Sequence, residues 1–136
     1  MLNIIQDDFY QYDKESFDTI LLLMNGIGIA GRNDNVPKFL LKCKDLLVKG
    51  GKILLESSDI IYMFEDEDGG YLIDLNGDYY GNMNYTISYN EEQENFDWLY
   101  LSFDLLMDYA QMCGLKAKKV MDGEHYNYLA EITIAN

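Results

Sequence analysis

The segment of this chain best suited to contact a ligand is the glycine-rich run Asn25-Gly26-Ile27-Gly28-Ile29-Ala30-Gly31. It follows the apolar run Phe17–Met24, so it lies where a buried strand would end. Glycine lets backbone amides approach a bound group closely, and open α/β sheets bind ligands at this end of their strands. Two interpretations stay open: a loop that touches a ligand, or a tight connector that needs positive φ.

The same run matches the spacing Gly-x-Gly-x-x-Gly at Gly26, Gly28 and Gly31. In a dinucleotide-binding fold, this pattern is followed about 20 residues later by an acidic residue at a strand end, which binds the ribose. No such residue follows here. We therefore do not assign a dinucleotide site to this motif.

Metal chemistry finds little support in the sequence. The acidic stretches are Glu65-Asp66-Glu67-Asp68 and Asp74-x-Asn76-Gly77-Asp78, but the calcium-binding EF-hand loop requires Gly and Glu where this chain has Tyr79 and Tyr85. A solvated acidic loop is favoured. His125, the single His, is too isolated from Cys43 and Cys113 to form a zinc site and is interpreted as a turn residue. We predict no metal site.

The composition excludes several protein classes. The chain has 136 residues, 10 Lys+Arg against 24 Asp+Glu, and a formal net charge of -14. This charge repels phosphate backbones, so no nucleic-acid partner is predicted. No apolar run approaches the roughly 18 residues of a membrane span, and no membrane partner is predicted. The N-terminus lacks the features of a signal peptide. We expect a cytoplasmic protein with reduced thiols at Cys43 and Cys113.

Two strands and a helix position the glycine-rich run. Phe17–Met24 is a continuous apolar run, typical of a strand buried on both faces. Residues 36–48 have helical apolar periodicity, with Pro37 in the first turn and Gly50-Gly51 after the end. Lys52–Glu56 is a second buried strand, followed by Ser57-Ser58-Asp59. This order predicts a right-handed parallel βαβ unit.

The rest of the chain combines a β-rich insertion with a further helix and two strands. Within residues 60–100, alternation over Met83–Tyr89 predicts a half-exposed strand that pairs with Phe96–Leu101 through a polar connection at Asn90–Asn95. The Tyr-rich hairpin is either a lid over a pocket or cross-strand packing. Ser102 is the N-cap of a helix that Gly114 ends. Leu115–Val120 and Tyr126–Ile134 form an antiparallel pair.

This arrangement resembles the C-terminal half of class I S-adenosylmethionine-dependent methyltransferases. The resemblance covers nearly the whole chain and rests on the order and spacing of several motifs. The matching segments are Phe17-Asp18-Thr19-Ile20 with Asn25-Gly26-Ile27-Gly28 (fourth strand and its loop), Leu46-Leu47-Val48-Lys49-Gly50-Gly51-Lys52-Ile53-Leu54 (helix to fifth strand), Gly114-Leu115 with Tyr128-Leu129-Ala130 (sixth and seventh strands), and Tyr80-Gly81 with Phe96-x-Trp98-Leu99-Tyr100 (the hairpin of one bacterial branch). It implies an α/β fold: a truncated Rossmann-like sheet with a parallel βαβ core, a C-terminal antiparallel hairpin and an inserted β-hairpin. Residues 1–136 would be a single partial domain, with 60–100 as the insertion.

The family's main cofactor motif, Asp/Glu-x-Gly-x-Gly-x-Gly after the first strand, is absent from this sequence. The resemblance implies S-adenosylmethionine as the cofactor of the complete family. It places Asp7 or Asp8 near the adenine and Asn25, Gly26 and Ile27 beside the cofactor. No catalytic residue is assigned. We expect a methyltransferase fragment that is not competent alone.

The resemblance also implies an exposed sheet edge. The family's first strand lies beside its fourth, so Thr19–Met24 becomes an uncovered apolar edge here, which is an aggregation hazard unless a partner covers it. The third strand, at Ile4-Ile5, would be rearranged together with residues 1–12. We predict a homodimer through this edge, or a separate N-terminal half. The alternative functions are a non-catalytic remnant or interaction module that dimerises there, and a fragment with no function of its own.

Overall fold

The computed structural model describes residues 5–73 and 77–135. Ile4 of the expected third strand, and Asp74 and Asn76 of the acidic run, lie outside the described residues. The described elements, in chain order, are β1 (Phe17–Leu22), a 3-10 turn (Gly26–Ala30), a 3-10 turn (Asn33–Asn35), α1 (Val36–Leu46), β2 (Leu47–Ser58), a 3-10 turn (Ile61–Phe64), β3 (Asn82–Tyr89), β4 (Glu92–Leu99), α2 (Phe103–Met112), β5 (Leu115–Asp122) and β6 (Asn127–Ile134).

The main sheet has the strand order β1-β2-β6-β5. β1 pairs with β2 in parallel, while β6 pairs antiparallel with both β2 and β5. This confirms the predicted parallel core and the antiparallel terminal pair. The start of α2 is also as predicted, because the Ser102 hydroxyl accepts a hydrogen bond from the Leu105 N–H at 3.3 Å.

The predicted boundary between the first helix and the second strand is wrong. α1 ends at Leu46, and β2 begins at Leu47 and runs through Gly50-Gly51. The pairing register jumps from Phe17–Leu47 to Thr19–Lys52, so the extra β2 residues form a bulge. Gly50 has φ +84°, which only glycine adopts at low cost. The glycine pair therefore bends a long strand and does not separate helix from strand.

The second sheet is the hairpin of β3 and β4 within the predicted insertion. Its turn is tighter than predicted, because Asn90 and Glu91 both have positive φ and close the connection alone. Residues 92–95 therefore continue the strand, opposite Tyr89 to Thr86. The description of 60–100 as an insertion in one domain stays a prediction.

Both helices pack on one face of the main sheet. Ile53 and Leu55 of β2 are buried in a single core with side chains of both helices; its other members include Phe39, Leu40, Cys43, Leu106, Ala110, Ala130 and Ile132. Because side chains alternate along a strand, Leu54 points to the opposite face. The cross-strand register places Leu21, Leu129 and Met121 on that face too.

We call this second surface the open face. It carries Leu21, Leu54, Met121 and Leu129, and the same register places the charged residues Lys52, Glu56, Lys118 and Glu131 on it as well. Leu21 is 58% exposed and Met121 is 59% exposed. Within the described residues, neither α-helix packs against it. β1 is also the edge of the sheet, and Leu23 and Met24 beyond its end are 52% and 87% exposed. The apolar sequence of this strand indicates burial, but the structure leaves its outer side uncovered.

Four elements are joined by a hydrogen-bond network, buried at Leu101 and Tyr128 and partly buried at Asn25, which we call the relay. The Asn25 amide donates to the Leu99 carbonyl at 2.9 Å, and the Ser57 hydroxyl donates to Asn25 Oδ1 at 2.7 Å. The Leu101 N–H donates to Ser57 Oγ at 3.0 Å, and the Tyr128 hydroxyl donates to the Leu101 carbonyl at 2.6 Å. The relay therefore joins the ends of β1, β2 and β4 to the start of β6.

The hairpin meets the glycine-rich loop through Trp98. A Cβ atom placed on Gly28 would lie 2.0 Å from Trp98 Cε2, so no other residue fits there without displacing the indole. Trp98 is the single Trp of the chain. The close approach explains why Gly28 is required, independently of any ligand.

We predict that Gly28→Ala destabilises the fold by about 2 kcal/mol, because overpacking forces Trp98 off Gly28. Urea unfolding followed by Trp98 fluorescence measures the loss. Gly70→Ala is the matched control, since its added Cβ would meet only the Asp66 carboxylate oxygens, the nearer at 3.3 Å. Equal stabilities of the two variants would contradict the contact.

We predict that Ser57→Ala lowers the free energy of unfolding by about 2 kcal/mol, because it leaves Asn25 Oδ1 and the buried Leu101 N–H without a partner. The control is Ser58→Ala, because Ser58 is the half-buried neighbour of Ser57 and its hydroxyl is not part of the relay. Thermal or urea unfolding compares the two. A similar small loss in both variants would show that the Ser57 hydroxyl stabilises the fold no more than the half-buried Ser58 hydroxyl does.

Candidate functional site

The candidate site is the edge of the sheet where the parallel strands β1 and β2 end. Asn25 follows β1 in the left-handed conformation, with φ 61° and ψ 40°, and starts the 3-10 turn Gly26–Ala30. Both polar groups of its side chain are held in the relay. The Ile27 side chain is fully buried. Any ligand contact from Asn25, Gly26 or Ile27 must therefore come from backbone atoms.

Asp7 lies elsewhere. It is exposed, its Oδ1 accepts a hydrogen bond from the Asp8 N–H at 2.8 Å, and it lines an apolar cavity of about 370 Å³ beside the edge of β1. Phe17 and Thr19 also line this cavity, whereas Asn25, Gly26 and Ile27 do not. The structure thus does not bring the two groups of predicted cofactor residues into one cavity.

The segment before β1 is rearranged relative to the expected third strand. Ile5 is not in a strand, and the Gln11 and Tyr12 N–H groups both donate to the Asp8 carbonyl, which makes a turn. Phe9 stacks on Phe39 of α1 with ring centroids 5.0 Å apart. The buried Tyr12 hydroxyl has no hydrogen-bond partner in the described structure. The segment therefore packs against the helix and leaves the β1 edge open.

A second, polar cavity of about 540 Å³ lies at the end of β2, between the start of α2 and the β5–β6 connection. Asp59, Asp104 and Glu124 line it, together with Lys119 and Tyr126. Lys119 Nζ lies 3.2 Å from Asp122 and 5.2 Å above the Phe103 ring. The cavity can accept hydrogen bonds from a bound polar molecule through carboxylates on several of its walls.

Asp59 links this cavity to the insertion. Its Oδ1 accepts hydrogen bonds from the Tyr80 hydroxyl at 2.6 Å and from the Ile61 N–H at 3.0 Å. Burial, and then the hydrogen bond to Asp59, raise the pKa of Tyr80 above its ordinary value. Burial likewise raises the pKa of Tyr128. Both phenols are therefore hydrogen-bond donors at neutral pH and not proton acceptors.

The insertion is tied by polar contacts to the two residues that directly follow the glycine-rich loop. Arg32 Nη2 lies 2.6 Å from both carboxylate oxygens of Asp78, and this hydrogen bond lowers the pKa of Asp78. The Asn33 N–H donates to Asn82 Oδ1 at 2.8 Å, and the Asn82 amide donates back to Asn33 Oδ1 at 2.7 Å. The loop and the hairpin base are thereby held together.

The thiols and the single His take no part in this site. Cys43 and Cys113 are free and buried, and desolvation raises the pKa of Cys43 to about 12, so it stays a neutral thiol. His125 is exposed in the β5–β6 connection. Across residues 5–73 and 77–135, no three His, Cys, Asp or Glu side chains are grouped as metal ligands would be.

No helix in the described parts of the chain is both long and apolar enough to cross a bilayer.

Ser57, Asp59, Tyr80 and Tyr128 were not among the predicted site residues. The sequence did carry one signal for Ser57 and Asp59, because Ser57-Ser58-Asp59 directly follows the second parallel strand, at the same sheet edge as Asn25. Tyr80 belongs to the Tyr-rich hairpin, which the sequence allows as a lid over a pocket or as cross-strand packing, whereas Tyr128 carries no such signal. Their partners are 21 and 27 residues away in the chain, and only the folded backbone brings them together.

Several solved structures that share this architecture are methyltransferases. No protein-family profile and no curated protein matches the chain. Among solved structures, the S-adenosylmethionine-dependent methyltransferase of Bacteroides fragilis, in complex with S-adenosyl-L-homocysteine, is 46% identical, with a TM-score of 0.84 over 94% of this chain and 52% of that protein.

Two more distant structures share the fold alone. An S-adenosylmethionine-dependent methyltransferase of Clostridium acetobutylicum is 11% identical, with a TM-score of 0.61 over 96% of this chain and 63% of that protein. The CcbJ methyltransferase of Streptomyces caelestis is 12% identical, with a TM-score of 0.64 over 97% and 63%. The chain thus spans between about half and two thirds of these proteins. It carries the Rossmann-like fold of S-adenosylmethionine-dependent methyltransferases and resembles the C-terminal half of that fold.

Proposed function

We propose that this chain acts as the C-terminal part of an S-adenosylmethionine-dependent methyltransferase and needs a second polypeptide segment for activity. The observation that carries the proposal is the 46% identity to the Bacteroides fragilis enzyme, whose structure contains S-adenosyl-L-homocysteine. This similarity covers 94% of the chain and half of that enzyme. This sequence contains no Asp/Glu-x-Gly-x-Gly-x-Gly loop, so the proposal assigns those cofactor contacts to the second segment.

In this proposal, the sheet edge after β1 and β2 faces the cofactor. The backbone at Asn25, Gly26 and Ile27 is the part of this chain that lines the cofactor, and the relay keeps that backbone in place. Asp7 belongs to the same site only if the segment before β1 moves. Bound S-adenosylmethionine would supply the methyl group, and the protein's task is to align donor and acceptor. The polar cavity beside Asp59 is the place for the acceptor.

The partner segment would cover the two surfaces that this chain leaves uncovered, the edge of β1 and the open face. A parallel strand added to the edge of β1 would satisfy its free backbone groups. Helices from the same segment would cover the open face, where Leu21 and Met121 are more than half exposed. One partner can therefore complete the sheet, its second layer and the cofactor site together.

We predict that S-adenosyl-L-homocysteine binds the isolated chain only weakly, with a Kd above about 1 mM, and binds in the micromolar range after the missing half is added. The added polypeptide is the part of the Bacteroides fragilis enzyme outside the matched region. Isothermal titration calorimetry measures both cases. Failure of the mixture to bind, with the two polypeptides shown to associate, would contradict the proposal.

A conservative variant tests the contribution of Asp7 in that mixture. Asp7→Asn should weaken binding if the carboxylate contacts the cofactor, and Asp13→Asn, in the same exposed segment, is the control. Unchanged affinity in Asp7→Asn removes this residue from the site and leaves the rest of the proposal in place.

A second function has support from the same exposed edge. A non-catalytic interaction module would bury β1 against β1 of a second copy, which would extend the sheet across a two-fold axis. The observation in its favour is the run Leu21 to Met24, whose large apolar side chains are exposed at the unpaired edge, apart from the half-buried Leu22.

We predict for this alternative that the purified chain has twice the mass of one copy, and that Leu21→Glu makes it a monomer because a buried unpaired carboxylate opposes the interface. Light scattering coupled to gel filtration measures the mass. Leu41→Glu is the control, since Leu41 is 48% exposed on α1, away from the edge. A wild-type monomer, or a dimer that survives Leu21→Glu, would exclude this mode of association.

A further inference from the structure

The β3–β4 hairpin carries a surface that neither the cofactor site nor the sheet edge explains. Its base is held by Trp98 against Gly28, but the hairpin forms a sheet of two strands only. Within the described residues, both of its outer edges are unpaired. A two-stranded hairpin is marginally stable in water unless one of its faces is covered.

On one face of the hairpin, the polar side chains already form hydrogen bonds with one another. Asn84 and Asn95 exchange amide hydrogen bonds of 3.1 and 2.6 Å, and they also bond to Asp97 and Thr86. These cross-strand contacts form a polar ladder. This face therefore needs no partner.

The other face is different, and we call it the aromatic face. Residues directly opposite in an antiparallel pair lie on the same side, and the register pairs Ile87 with Glu94 and Tyr89 with Glu92. Near the base, Phe96 stands between Tyr85 and Trp98. Towards the tip, Ile87 is 54% exposed and Tyr89 is 76% exposed. The uncovered part is thus an apolar row beside a row of carboxylates.

The charge of the chain is concentrated around this face. Residues 53–115 contain 14 Asp and Glu and no Lys, Arg or His, which accounts for the whole net charge of -14. The remaining residues, 1–52 and 116–136, carry ten acidic and ten basic side chains and are neutral together. The aromatic face therefore lies in the one long segment that has no cation of its own.

This distribution decides what can cover the aromatic face. A second copy would place two cation-free acidic hairpins in contact, which like-charge repulsion opposes. Nucleic acid and anionic membranes are repelled for the same reason. A cationic polypeptide is attracted, and its Lys or Arg side chains can pair with Glu92 and Glu94 and lie over the exposed Tyr89 ring.

We propose that the aromatic face of the hairpin is a docking site for a Lys- or Arg-rich polypeptide segment that also carries apolar side chains. The apolar side chains cover Ile87 and Tyr89, and the cations lie along the carboxylate row. This inference does not depend on methyl transfer or on cofactor binding. It can therefore succeed or fail independently of the function proposed above.

A fluorescently labelled synthetic peptide of alternating Lys and Leu tests the site by anisotropy. Glu92→Gln combined with Glu94→Gln should weaken its binding about tenfold, and Ile87→Ser combined with Tyr89→Ser by a similar factor. Binding should also weaken when ionic strength rises from about 50 to about 200 mM. A peptide with Glu in place of Lys should not bind.

Glu65→Gln combined with Glu67→Gln is the matched control, because it removes the same charge from the same acidic segment outside the hairpin. It should change affinity less than about twofold. The proposal is overturned if this control weakens binding as much as the hairpin variants do, or if the Glu peptide binds equally well. It is also overturned if wild-type protein dimerises and Ile87→Ser with Tyr89→Ser makes it a monomer. Circular dichroism checks that each variant is folded. If Ile87→Ser with Tyr89→Ser unfolds the protein, the variant Glu92→Gln with Glu94→Gln, which changes exposed side chains only, decides whether the peptide binds the aromatic face.

Discussion

The relay of Asn25, Ser57, Leu101 and Tyr128 is the interaction on which the rest of the structure depends. A buried polar group costs free energy unless it is paired, and each member here pairs the next. Because the relay joins β1, β2, β4 and β6, it fixes the base of the hairpin relative to the sheet. The glycine-rich loop lies between two of these joined strands. Its conformation follows from the relay below it and from Trp98 packed against Gly28.

The relay also changes the role that is assigned to Asn25. From sequence, this residue is a candidate to contact the cofactor as part of a loop whose backbone can approach a ligand closely. In the structure, both side-chain groups hold the protein together, while the left-handed backbone turns the following residues into the 3-10 turn. The two interpretations left open by the sequence, ligand loop and tight connector, are therefore not exclusive. A loop can contact a ligand through its backbone only if its conformation is fixed, and the relay fixes the conformation of this connector.

Much of the architecture could be predicted because it depends on local pattern. The βαβ order, the Ser102 N-cap and the terminal antiparallel pair all follow from apolar periodicity and turn residues. The errors arose where tertiary pairing overrides a local signal. Gly50-Gly51 is typical of a helix end, yet pairing with β1 makes it a bulge inside β2. Asn90-Glu91 closes a turn that the polar composition of Asn90–Asn95 made appear longer. The position of Ser57 after a parallel strand is visible in the sequence, but its hydrogen-bond partners, like those of Tyr80 and Tyr128, are distant in the chain and no local pattern indicates them.

The uncovered surfaces of the chain differ in physical character, and this difference bears on how it associates. The β1 edge is apolar and lies within residues 1–52, where seven acidic and seven basic side chains balance, so hydrophobic burial and strand pairing favour its partner without electrostatic selection. The aromatic face lies in the segment that holds the entire net charge, so its partner is selected by sign. A single partner with a uniform surface would not match both the apolar β1 edge and the acidic aromatic face. The segregation of charge along the sequence therefore lets two associations occur on one small protein without competing for the same surface.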